Sequence, residues 1–158
     1  MPDANNELMD TLAKLFENTI AEVVSTISGI SVFKDDDDLL NVNDNFAGTL
    51  PFYGEINGFF ILNTDEQSLR ALTSNITGCV IPSVEESDMT DCIGELANMI
   101  CGTVRAKAAL NGILFKLAIP FSVKGVNGLE LFFKKNAKTF TLHFSSCDIH
   151  ISARVVLA

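Results

Sequence analysis

Apolar positions in this chain recur at helical spacing in its first two thirds and alternate with polar ones toward its C-terminus. Over 6–28, Leu8, Leu12, Leu15, Phe16, Ile20, Val23, Val24 and Ile27 return every three or four residues. That spacing predicts a long amphipathic helix, with Gly29 as its stop. A shorter helix is predicted over 65–77, with Thr64 as N-cap and Gly78 just beyond its end. After a loop through Pro82 to Ser87, the stretch "DMTDCIGELANMICGTVRAK", Asp88 to Lys107, predicts another long helix, terminated by Asn111-Gly112.

Elsewhere the period is two. Phe46 to Asn63 is rich in aromatic and β-branched residues, and its Asn57-Gly58 step predicts a two-residue turn between antiparallel strands. In "ILFKLAIPFSV", Phe115, Leu117, Ile119, Phe121 and Val123 fall on one face, and Asn127-Gly128 predicts a turn into "LELFFKK". Phe140, Leu142 and Phe144, then Ile149, Ile151, Ala153, Val155 and Leu157, alternate with polar neighbours. The elements sum to one α+β domain over 1–158. It has two layers, an antiparallel sheet of about six strands with two long helices packed on its apolar face.

Length and composition agree with a single core: 158 residues, 47% of them apolar and 20% charged. The formal net charge of -9, with no basic cluster beyond the pair Lys134 and Lys135, opposes nucleic acid and anionic lipid as partners. The N-terminal "MPDANNELMD" is acidic where a secretory signal is basic then apolar, and no apolar run approaches the roughly 20 residues that span a bilayer. A cytoplasmic location, away from membranes, is expected.

Most candidate chemistry drops out on spacing. The four cysteines, Cys79, Cys92, Cys101 and Cys147, form no CxxC pair and read as free, largely buried thiols. The aspartate run Asp35 to Asp38 suggests calcium, but a calcium loop starting at Asp35 requires Gly and Glu where Leu40 and Phe46 stand. Such a run reads as a solvated connector. His143 and His150 lie opposite the apolar face of their strands with no accompanying ligand cluster. No phosphate loop, nucleophile elbow or metal signature is present, so no cofactor of the chain's own is expected.

The long helix over Asp88–Lys107 is different. At about 100° per residue, Met89, Ile93, Leu96, Ile100 and Val104 fall in one arc. With Asp91 at zero, Glu95 lies about 40° to one side and Asn98 about 20° to the other, opposite the apolar arc. Exposed helix faces are commonly polar, but this one also carries Gly102 in line and Gly94 beside it, each costing about 1 kcal/mol against alanine. Missing side chains there would let another surface approach the backbone. Asn98 is a poor mid-helix residue unless its amide has a use. A side-chain amide can donate to and accept from one water, holding it in line with a phosphoryl group, and a carboxylate can pair with a partner's cation.

The pattern Asp91-x3-Glu95-x2-Asn98, with Pro120 after twenty-one intervening residues, resembles the signature of the CheC/CheX/FliY chemotaxis phosphatases. The order of elements is similar to that family's fold as well. The resemblance implies a phosphatase that removes the phosphoryl group from the aspartate of a CheY-like response regulator in chemotaxis or two-component signalling. It implies that Asn98 orients the attacking water and that Glu95 holds a lysine of the receiver. Asp91 would support the site, Gly94 and Gly102 would give the partner clearance, and Mg2+ would sit in the receiver domain. Family members of the CheC type carry the motif twice. Here the matching places on the first helix hold Asp10, Lys14 and Glu17, so a single site is most like CheX, whose members form homodimers. Two other readings remain open: a non-catalytic receiver-binding module like the flagellar switch protein FliM, and a metal-dependent hydrolase using Asp35 to Asp38.

Overall fold

The computed structural model of the chain describes residues 4–37, 45–125 and 137–158. Three helices, α1 (Ala4–Ser28), α2 (Glu66–Thr77) and α3 (Glu86–Leu110), cover one face of an antiparallel sheet. Among the described residues the sheet has seven strands: β1 (Phe33–Asp35), β2 (Asn45–Gly54), β3 (Gly58–Asp65), β4 (Phe115–Leu117), β5 (Phe121–Lys124), β6 (Lys138–Ser146) and β7 (Ile149–Leu157). Their order is β1-β6-β7-β3-β2-β4, with β5 also paired to β2.

One face of β2, β3, β6 and β7 supplies the sheet side of the core through Phe46, Leu50, Phe60, Leu62, Leu142 and Val155. Against it α1 sets Leu12, Phe16 and Ile20, α2 sets Leu69 and Leu72, and α3 sets Met89, Ile93, Leu96, Ile100 and Val104. The periodicity that predicts α1 and α3 is the periodicity of their burial. Phe16 stacks on Phe60 with ring centroids 4.9 Å apart, fixing α1 over β3. Lys107 Nζ joins α3 to α1 by donating to Glu22 Oε2 at 2.5 Å and Thr19 Oγ1 at 3.4 Å.

The structure departs from the sequence expectations in several places. The strand predicted through Phe115 to Val123 is two strands. Phe52 pairs with Leu117 and Thr49 with Phe121, so Ala118, Ile119 and Pro120 oppose only Leu50 and Pro51. This bulge shifts the alternation by one residue. Phe115 is therefore buried, whereas Ile119 is 85% and Phe121 44% exposed.

The polar connector contributes an edge strand, β1, paired to β6 through backbone hydrogen bonds that make no demand on its side chains. The Asn57-Gly58 turn is longer than two residues: the last pair is Phe52 with Gly58, and β2 runs on to Gly54 because its end pairs with β4. Gly58 is required by close approach, since a Cβ there would overlap the Val156 carbonyl oxygen and lie 2.7 Å from the Phe52 ring. The N-cap of α2 is Asp65, whose Oδ1 accepts the Ser68 N–H at 2.7 Å. Thr64 stays in β3 and donates to the His150 carbonyl instead. The turn predicted at Asn127-Gly128 and the strand after it lie outside the described residues.

All four cysteines are free, but Cys79 and Cys147 are exposed rather than buried. Cys147 sits in the tight turn between β6 and β7, where Ser146 pairs with Ile149.

Candidate active site

α3 starts where the Asp88 carboxylate accepts the Glu85 N–H at 3.0 Å, and Glu86 and Asp88 complement the positive end of the helix. Its C-terminus falls at Asn111, as the Asn-Gly signal predicts. Between these ends the helix rests almost directly on backbone. A Cβ on Gly48 of β2 would overlap the Ile93 carbonyl, and a Cβ on Gly94 would lie 2.7 Å from Ser122 Oγ of β5. That hydroxyl donates to the Thr90 carbonyl at 2.9 Å, and Lys124 of β5 pairs with Glu86.

The bulge ending at Pro120 makes this contact possible. By changing which residues of β5 face inward, it puts small Ser122 rather than Phe121 beneath α3. Gly94 is thus buried against β5 and is not on the solvent face. Its missing side chain serves packing within the chain, which corrects the expectation that it gives a partner clearance. Gly102 does have open space where a Cβ would stand.

The polar stripe lies on the opposite side of α3. Asp91 and Glu95 are exposed and Asn98 is half-buried, one turn apart along the ridge. The four salt bridges among the described residues join Lys34 to Glu17, Arg70 to Glu66, Lys107 to Glu22 and Lys124 to Glu86. None uses Asp91 or Glu95, and neither these carboxylates nor the Asn98 amide has a hydrogen-bond partner among the described residues. The ridge thus presents two unpaired acids and an uncommitted amide. Beside it runs a groove of about 320 Å³, lined by Ile27 of α1, Ile76 of α2, and Asp91, Glu95 and Met99 of α3. The contribution of α1 and α2 to this surface was not legible in the sequence, because it depends on where three helix segments meet.

Other sequence candidates lie apart from the ridge. Asp35 is on the far edge strand, where its Oδ2 accepts the Ser145 hydroxyl at 2.7 Å; this bond, then the Asp37 N–H, holds its carboxyl below the usual range. Asp38 lies outside the described residues. Among those described, no group of three or more His, Cys, Asp or Glu is placed to hold a metal ion. On α1, Asp10 and Lys14 are exposed and Glu17 pairs with Lys34. No described helix is long and apolar enough to cross a membrane.

The family model described as "Chemotaxis phosphatase CheX" matches residues 46–145, which run from the second residue of β2 through most of β6 and contain the whole of α3. The chain belongs to the CheX family. Solved structures agree in fold. Chemotaxis protein CheX from Vibrio vulnificus superposes with a TM-score of 0.79 at 19% identity, over 93% of this chain and 96% of that one. CheX from Borrelia burgdorferi, solved as a CheX–CheY–BeF3–Mg2+ complex, matches with a TM-score of 0.72 at 15% identity, over 92% and 96%. The middle domain of FliM from Vibrio alginolyticus matches at 0.60 and 11%, over 94% and 91%. No curated protein sequence matches the chain. Membership of the CheX family bears out the resemblance carried by Asp91, Glu95, Asn98 and Pro120, and the α+β sheet-and-helix fold is shared with CheX and CheC-like proteins.

Proposed function

We propose that this chain dephosphorylates the aspartyl phosphate of a CheY-like receiver domain, with Glu95 and Asn98 as its catalytic residues. The observation that carries the reading is the ridge of α3, where an exposed carboxylate and a half-buried amide one turn apart have no partner among the described residues. Membership of a chemotaxis phosphatase family supports it. So does the Borrelia burgdorferi relative, whose structure holds CheY with Mg2+ and BeF3, a group that stands in for a phosphoryl.

The chemistry asks little of this chain. The Asn98 amide accepts one hydrogen from a water and donates to its oxygen, directing a lone pair at phosphorus. As the water oxygen bonds to phosphorus, the bond to the receiver's aspartate breaks, that carboxylate leaves, and a water proton passes to the phosphate or to solvent. Glu95 pairs with a cation of the receiver, which sets the depth and angle at which α3 enters. Mg2+ in the receiver would neutralise charge on the phosphoryl oxygens.

With that reaction we propose a cytoplasmic location. A homodimer formed through the sheet is part of the same proposal, and sedimentation of the intact chain tests it. The likeness to the FliM middle domain favours a second reading, receiver binding without turnover. Incubation with a panel of phosphorylated CheY-like receivers and Mg2+ separates the two. Accelerated loss of phosphate from a receiver supports the phosphatase, and binding without acceleration supports the module.

A further inference from the structure

The groove beside α3 shares Glu95 with the catalytic ridge, so whatever docks on one must meet the other. Its chemistry is specific. Its apolar lining comes from Ile27, Ile76, Leu96 and Met99 and its acidic lining from Asp88, Asp91 and Glu95 of α3, and no Lys, Arg or His is among the described residues that line it. Asp88 is committed to the Glu85 N–H, whereas Asp91 and Glu95 are unpaired among the described residues.

A second feature points to the same sign of charge. Ile27 lies in the last turn of α1 and Ile76 in the last turn of α2, so the negative ends of two helices converge here, and neither last turn holds a basic residue. Asn75 Nδ2 donates to the Ser28 carbonyl at 3.0 Å and pins the two ends together, so the groove is formed before any partner arrives.

Resting on the function proposed above, we propose that this groove is the second half of the receiver-docking surface. It takes an apolar side chain of the receiver that has a Lys or Arg within about one turn of it. The apolar side chain enters between Ile27, Ile76 and Met99, where a flexible thioether adapts to its shape. The neighbouring cation lies against Asp91 and the two helix ends. Asp91 is then a positioning residue for docking, and the groove selects which receivers of a cell are substrates.

Calorimetry with CheY-like receivers of the same organism in their Mg2+–beryllofluoride form tests docking without requiring turnover. Met99 is 38% exposed and Asp91 is exposed, so Met99→Lys and Asp91→Asn retain the fold, which thermal melting verifies. Met99→Lys is expected to weaken binding by at least about tenfold, the loss typical of a central interface residue. Asp91→Asn is expected to weaken it several-fold, to reduce its salt dependence, and to raise KM while leaving kcat unchanged. Binding by Met99→Lys within about twofold of the parent, or no receiver bound by the parent, overturns the proposal. Groove-dependent binding without turnover would remove the phosphatase reading and leave this docking surface standing.

Discussion

Gly48 and Ile93 bring strand β2 and helix α3 together backbone to backbone: a Cβ on Gly48 would overlap the Ile93 carbonyl. Backbone on both sides cannot rotate away, so the helix that bears Asp91, Glu95 and Asn98 is held at a fixed height above the sheet. Gly48→Ala is expected to destabilise the chain by about 1–3 kcal/mol through overpacking, read as a lowered urea midpoint with an unchanged m-value. Stability equal to the parent's would show that α3 can lift from the sheet.

Gly94 and Gly102 look alike in the sequence and should respond in opposite ways. Gly94 faces Ser122 Oγ, and that hydroxyl is tied to the Thr90 carbonyl. Gly94→Ala should therefore be more favourable in a Ser122→Ala background than in the parent, with a coupling of about 1–3 kcal/mol in a double-mutant cycle. Gly102 has open space around it, so Gly102→Ala should stabilise the chain by up to about 1 kcal/mol. If Gly102 is clearance for a receiver, that same variant loses phosphatase activity while gaining stability.

The contrast shows what a single sequence carries. The stripe of Asp91, Glu95 and Asn98 was legible because helical periodicity is local and the apolar arc opposite it is complete. The bulge at Ala118 to Pro120 was not. It arises from one extra residue against β2, and the strand's own alternation continues through it unmarked. That single shift also hid the role of Gly94, which depends on Ser122 rather than Phe121 pointing inward. Edge strand β1 was missed for another reason: its pairing uses backbone groups, and its composition reads as a connector.

The four thiols should divide by burial. Burial pushes the Cys101 thiol well above its ordinary pKa and raises that of Cys92, and the thiolate is the reactive form. Exposed Cys79 and Cys147 should react rapidly with an aromatic disulfide reagent at mildly alkaline pH, Cys92 slowly, and Cys101 only on unfolding. Peptide mapping of the labelled chain checks the order, and early labelling of Cys101 would contradict the packing of α3 on the sheet.

Asp35 contributes a pH-dependent tether for β1. The Ser145 hydroxyl, then the Asp37 N–H, lowers its pKa in the folded chain. A group depressed in this way stabilises the fold above its unfolded value, near ~4, and the contribution is lost as pH falls through the folded value. The urea midpoint of Ser145→Ala should therefore lie below the parent's near neutral pH, and the gap should close in acid. A gap that persists at low pH would assign Ser145 to packing instead.

The central claim rests on Asn98. Decay of a phosphorylated CheY-like receiver, followed with Mg2+ and either the parent chain or Asn98→Ala, tests it most directly. The parent should accelerate the decay, and Asn98→Ala should lose on the order of 10²-fold or more of that acceleration while unfolding within about 0.5 kcal/mol of the parent. An Asn98→Ala variant as active as the parent, or a parent that leaves every receiver decaying at its own rate, would contradict it.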